Sequence, residues 1–198
     1  ELSIVPSVAR WVDVFHVPGE YRVEVVDGDR VDLLFSVYVD VPVPAAAPLP
    51  GPAPVLDEAE AARFLADRLS ALRSRAGVRA LTELAEFVPL VRAHATCIAS
   101  LGVAVHTSTS CPGVADLASR LFHPRARHHE DIAVGDTAAE AWERLADSPA
   151  HLQNLLCPTC THVAVSTASE PASPPRLFAV WELLDLPDGT PRPIAFVR

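Results

Sequence analysis

The stretch Thr137–Thr167, TAAEAWERLADSPAHLQNLLCPTCTHVAVST, holds two helix starts and one strand in 31 residues. Thr137 and Glu140 form a capping pair ahead of Trp142 and Leu145, because a Thr hydroxyl satisfies an orphan N–H three residues on. Ser148 followed by Pro149 begins a second helix carrying His151 to Leu156; Pro suits the first helical turn, where no N–H is needed. His162–Thr167 then alternates as a strand. Two helices running straight into a strand, without a regular βαβ rhythm, predict an α+β fold with an antiparallel sheet covered by helices.

Upstream, Asp57 and Glu60 cap a helix with an apolar stripe of Leu65, Leu69, Leu72 and Ala76, closed by Gly77. A second helix runs from about Leu84 to Ser100 and ends at Gly102, with Leu84, Phe87, Val88, Val91, Ala95 and Ile98 on its core face. Pro89 inside that span predicts a late start or a kink. Pro112 opens a short helix through Leu121, and Leu177–Leu186 reads as a strand, with Ile194–Val197 as a further edge strand. Residues 1–41 read as three strands, around Trp11–Val17, Tyr21–Val25 and Val31–Val41, separated by the turn signals Pro18–Gly19 and Asp27–Gly28–Asp29. Their Pro-Gly-Glu-Tyr-Arg-Val-Glu-Val stretch resembles the penultimate strand of an immunoglobulin-like sandwich. Three strands cannot bury both faces alone, so they are expected to pack on the rest of the chain. Residues 42–54, PVPAAAPLPGPAP, are a semi-rigid proline linker. The expected organisation is a β extension (1–41), that linker (42–54) and a main domain (55–198).

Composition removes several function classes. The 198 residues contain no Lys, and all 16 basic residues are Arg, which excludes a P-loop lysine and Schiff-base chemistry. A net charge of −9 without a basic cluster argues against nucleic acid. No run of 18 apolar residues exists to span a bilayer. Position 1 is not Met, so the chain is expected to be processed or cut from something longer.

The candidate chemistry sits in VRAHATCIASLGVAVHTS, HHEDIAVG, WERLADSPAHLQNLL and THVAVST. In order and spacing these resemble the CAP superfamily (cysteine-rich secretory, antigen 5 and pathogenesis-related proteins, also called SCP-like), in its bacterial type. The resemblance covers about Val55 to Leu186. It implies a three-layer α/β/α sandwich with a His/Glu cleft, an N-terminal β extension lying outside it, and a secreted or cell-envelope location. By that resemblance the cleft residues are His106, Glu130 and His151, as catalytic groups and as ligands of a Zn²⁺ ion. The family's second Glu corresponds to Leu145 here, and the residues flanking the central Glu are His129 and Asp131. Asp131 is expected on the surface and His129 as an additional ligand or part of a differing turn. His94 is expected as a core histidine with a satisfied hydrogen bond; His123, His128 and His162 as surface residues.

Four cysteines allow three pairings. Cys157–Cys160 as a local disulfide, with Cys97–Cys111 across the His106 loop, is the favoured set. A zinc clip of Cys157, Cys160 and His162 lacks a fourth ligand in sequence. The functional expectation is a module that binds a small apolar or peptide ligand (lipid, sterol-like or peptide) in a groove by the His cleft. Two alternatives stand beside it. One is a Zn-dependent hydrolase using His106, Glu130 and His151; the other is a passive interaction module of a surface protein.

Overall fold

The computed structural model describes residues 16–27, 30–42, 56–114 and 126–186. Most of the expected first strand, from Trp11 to Phe15, lies outside them. So do the proline linker from residue 43, the helix from residue 115 to Leu121, His123 and the strand at Ile194–Val197.

Two N-terminal strands, β1 (Gly19–Asp27) and β2 (Arg30–Val39), form an antiparallel hairpin. After the linker, α1 (Glu58–Arg75) starts at a complete capping box: the Glu60 N–H donates to Asp57 Oδ1 at 2.7 Å and the Asp57 N–H to Glu60 Oε2 at 3.2 Å. A two-residue strand β3 (Thr82–Glu83) precedes α2 (Val88–Leu101). Pro89 lies in the first turn of α2, so the helix starts late rather than kinking. Strand β4 (Arg127–Gly135) leads into α3 (Ala138–Asp147) and α4 (Pro149–Leu155), capped by Thr137 and Ser148 as the sequence predicts. β5 (His162–Ser169) and β6 (Leu177–Asp185) follow.

The main sheet has the order β3-β5-β6-β4. β3 runs parallel to β5, and the pairs β5–β6 and β6–β4 are antiparallel. Side chains alternate across a strand, so the sheet has two unlike faces. Val163, Val165, Ala179, Trp181 and Leu183 point to α1, α3 and α4. Ala164, Ala168, Phe178, Val180 and Leu184 point to α2. The chain is therefore an α+β three-layer sandwich. Central strand β6 is covered on both sides, which explains its nearly unbroken apolar run LFAVWELL. Glu182 interrupts that run.

The α1 stripe contains a residue that its spacing hides. Arg73, 1% exposed, takes a core position beside Leu65 and Leu69. Its guanidinium donates to the carbonyls of Arg79, Leu155 and Cys157 at 2.9, 2.5 and 3.0 Å. These bonds tie α1 to the C-terminal end of α4 and satisfy carbonyls that the helix end leaves orphaned.

A buried carboxyl and imidazole cluster as the candidate functional site

Four side chains converge between α2 and the β4–β6 edge of the sheet. α2 presents His94 from its buried face. The helix then closes at Gly102, which adopts φ 67°, a left-handed conformation that suits glycine. The loop beyond it is drawn back by the Cys97–Cys111 disulfide. Within the loop the Ser108 N–H donates to the Cys111 carbonyl at 2.8 Å and the Cys111 N–H to Ser108 Oγ at 2.9 Å. Gly113 passes so close to the His106 carbonyl that a Cβ would lie 2.6 Å from it. The loop is thus shaped to deliver His106 over β4.

There His106 Nδ1 meets Glu130 Oε1 at 2.7 Å. His94 Nε2 lies 3.5 Å from Glu130 Oε2. On the neighbouring strand Glu182 is the direct cross-strand partner of Glu130. The Glu130 side chain is 6% exposed and that of His106 is 34% exposed, so the cluster meets solvent on the His106 side. Glu182 is fully buried.

Burial works against the charge on Glu130, but the hydrogen bond from His106, the facing Glu182 carboxyl and the field of His94 outweigh it and hold its pKa below the ordinary range. Glu182 moves the other way: burial, then the facing Glu130 carboxyl, raise it well above the ordinary value. Its oxygens have no well-formed hydrogen bond, yet as a neutral acid beside an anion Glu182 is placed to direct its proton toward Glu130. The pair therefore shares one charge and one proton. With Glu130 anionic, His106 Nδ1–H is the donor of their hydrogen bond. This is a positioned imidazole backed by a carboxylate, an arrangement suited to proton transfer or to holding a polar ligand group. Ser108 Oγ accepts the Cys111 N–H within its turn.

Several expectations are revised. Glu130 lies near the start of strand β4. His94 is in the core as expected, but its ring faces Glu130 instead of closing a separate hydrogen bond. Asp131 is not a surface residue: it is 0% exposed, on the opposite face of β4, and accepts Asn154 Nδ2 at 2.8 Å. Burial raises its pKa to about 7, partly offset by the Asn154 hydrogen bond. His128 and His162 are half-buried rather than exposed. Leu145, at the family's second Glu position, is core. His151 stands in the first turn of α4, where its N–H donates to Ser148 Oγ at 3.4 Å. Two imidazoles and a carboxylate are chemically suitable for Zn²⁺; of the three expected ligands, the pair in direct hydrogen-bond contact is His106 and Glu130. Among the described residues the group of three whose ligand atoms all lie within 4.8 Å of one another is His129, Cys157 and Cys160.

Glu182 is a residue of this cluster that sequence reasoning missed. Its signal is a carboxyl in the middle of an apolar strand, which must be paired or neutral to be buried.

A separate cavity of about 340 Å³ opens on the other side of the sheet, between α1, β5 and the start of α2. Ala62, Ala66, Leu69 and Val165 line it, together with Arg63 and Arg92. This cavity is lined by none of the residues of the His106–Glu130 cluster.

No protein-family model matches the chain, and no curated protein does. Solved structures do. An extracellular protein containing an SCP domain from Bacillus anthracis str. Ames matches with a TM-score of 0.55 and 18% identity, over 67% of this chain and 44% of that one. An outer surface protein from Borrelia burgdorferi matches with a TM-score of 0.55 and 14% identity, over 66% of this chain and 96% of that one. The chain spans less than half of the Bacillus protein, at 44%. The fold is SCP-like.

Proposed function

We propose that the chain is a CAP-superfamily module of bacterial type, secreted or held at the cell surface, whose work is to bind an amphipathic ligand. The extracellular and outer-surface nature of the two similar proteins, the two disulfides and the absence among the described residues of a helix able to cross a membrane support the location. The observation that carries the binding reading is the cavity beside α1. Its volume of about 340 Å³ lies within the roughly 300–1,000 Å³ common for small-molecule sites. Apolar side chains line much of it, and the exposed Arg63 and Arg92, set against the single carboxylate of Glu83, would meet an anionic head group.

Equilibrium binding of a long-chain fatty acid, with the fatty alcohol of equal length as comparator, tests this reading. Ala66→Trp should abolish binding by filling the cavity. Arg63→Ala/Arg92→Ala should bring the acid down to the affinity of the alcohol, and His106→Ala should change neither. Binding indifferent to Ala66→Trp, or no binding, overturns the proposal.

A second reading, a Zn-dependent hydrolase using His106, Glu130 and His151, has the partly buried His106–Glu130 hydrogen bond in its favour. Zn²⁺ would be held by the two imidazoles and would make a bound water acidic, with Glu130 as third ligand or as base. Imidazole binds metal only when neutral, so affinity should fall below about pH 6. Calorimetric Zn²⁺ titration of the wild type, His106→Ala and His151→Ala decides it. Equal affinity in all three, or none in any, removes this reading.

A further inference from the structure

The Cys157-Pro158-Thr159-Cys160 turn joins α4 to β5 and is closed by a disulfide. We propose that, once reduced, this turn and His129 form a zinc clip of two thiolates and one imidazole, so that a metal ion takes over the stapling role of the disulfide under reducing conditions.

The donors are already gathered. A ring nitrogen of His129 and the sulfurs of Cys157 and Cys160 all lie within 4.8 Å of one another. Around one tetrahedral Zn²⁺, with Zn–S near 2.3 Å and Zn–N near 2.0–2.1 Å, such donors end roughly 3.5–4 Å apart. Small side-chain rotations therefore suffice. The two-residue gap between the cysteines is the ligand spacing of structural zinc turns. His162, which is nearer in sequence, is not the third ligand that the turn selects: its Nδ1 pairs with the Thr161 hydroxyl at 2.8 Å. His129 reaches the sulfurs from β4, across the sheet edge that α4 covers.

The surroundings favour thiolates. The Cys160 N–H donates to Cys157 Sγ at 3.1 Å, and Thr159 Oγ1 lies 3.6 Å from the same sulfur. Such donors stabilise a coordinated thiolate and fix its direction. The buried Arg73 guanidinium donates to the Cys157 carbonyl at 3.0 Å, placing a positive charge beside the turn. Cys157 and Cys160 are themselves buried and His129 is half-buried, so the fourth metal position would face solvent on the His129 side.

The chemistry balances with a thiol reductant. A dithiol gives two electrons and two protons to the Cys157–Cys160 bond and becomes a disulfide itself. Zn²⁺ then displaces the two thiol protons, which leave to solvent. None of the three proposed ligands lines the cavity or belongs to the His106–Glu130 pair, so cysteine protection by zinc reads this site apart from both.

Zinc-protected alkylation of the full chain tests it. The protein is reduced with a phosphine, alkylated with and without Zn²⁺, and its cysteines are mapped by peptide mass. Cys157 and Cys160 should be protected while Cys97 and Cys111 react at an unchanged rate. Co²⁺ as a spectroscopic probe should give thiolate-to-cobalt charge-transfer absorption in reduced protein and none in oxidised protein. His129→Ala and His129→Asn are run together, with near-UV circular dichroism to identify which is folded. Either folded variant should bind Co²⁺ about tenfold more weakly or worse. Protection of none or all four cysteines, unchanged binding in a folded His129 variant, or a reduced wild type that loses its near-UV signal without gaining protection overturns the proposal.

Discussion

Glu182 lies on a central strand between Trp181 and Leu183, fully buried, and such a position tolerates a carboxyl only when it is neutral or paired. Glu182→Gln keeps a neutral donor facing Glu130, so thermal stability at pH 7 should change by less than about 1 kcal/mol. Glu182→Ala leaves Glu130 without that donor and opens a cavity, and should cost about 2–4 kcal/mol. Equal losses in the two variants, read by chemical denaturation, would argue against the shared proton. Asp131 gives a cleaner pH test. Its folded pKa of about 7 lies above the ordinary 3.8. The stability tied to its protonated form is therefore complete below pH 3.8 and is lost as pH rises through about 7. Asp131→Asn, which can still accept from Asn154, should leave stability unchanged near pH 4. It should raise stability at pH 8 by a few kcal/mol, with on the order of 4 kcal/mol as the upper bound. Denaturation at the two pH values checks this, and no gain at pH 8 sinks it. His106 and Glu130 were legible because their motifs follow a known order. Glu182 and His94 were not, because each sits in an apolar pattern that reads as core, and only the β4–β6 register and the α2 packing reveal what they face.

Helix starts were the most legible elements. Asp57, Thr137 and Ser148 each cap the helix their sequence announces, because a cap is a local bond within three residues. Strand β4 was not legible. His128, His129, Glu130 and Asp131 lack β-formers, and they extend because β6 supplies the entire hydrogen-bond ladder from Arg127↔Asp185 to Gly135↔Leu177. The short β3 exists for the same reason, through its pairing with β5 at Thr82 and Glu83. The His106 loop depends on a covalent constraint: Cys97 and Cys111 are 14 residues apart. A loop of that size removes about 3 kcal/mol of unfolded-state freedom. Cys97→Ser/Cys111→Ser should therefore lower the melting temperature by roughly 6–12 °C, at about 2–4 °C per kcal/mol for a chain of this length. The same variant should broaden the His106 imidazole resonances, because the loop that positions the ring is released. Sharp, unshifted resonances would mean that the internal turn at Ser108–Cys111 holds His106 without the bridge.

At the scale of the molecule, the hairpin and the sandwich meet at the junction of α3 and α4. Arg22 of β1 hydrogen-bonds the carboxylate of Asp147, the last residue of α3, and approaches its carbonyl at 3.4 Å. Both side chains are substantially exposed, at 39% and 54%. An exposed pair of this kind contributes at most about 1 kcal/mol. Arg22→Ala should therefore shift the melting temperature by no more than about 4 °C. The hairpin also packs on α4, the helix whose Asn154 holds Asp131 from the other side. Removing the hairpin exposes that helix, so deletion of residues 1–54 should lower the melting temperature by more than Arg22→Ala does. It should also speed amide exchange in α4 ahead of α1, because seven-residue α4 makes few turns of its own to resist opening. Two outcomes separate the alternatives. A melting temperature unchanged by the deletion would make the N-terminal strands an independent appendage. A loss no larger than that of Arg22→Ala would assign the whole contact to one surface ion pair.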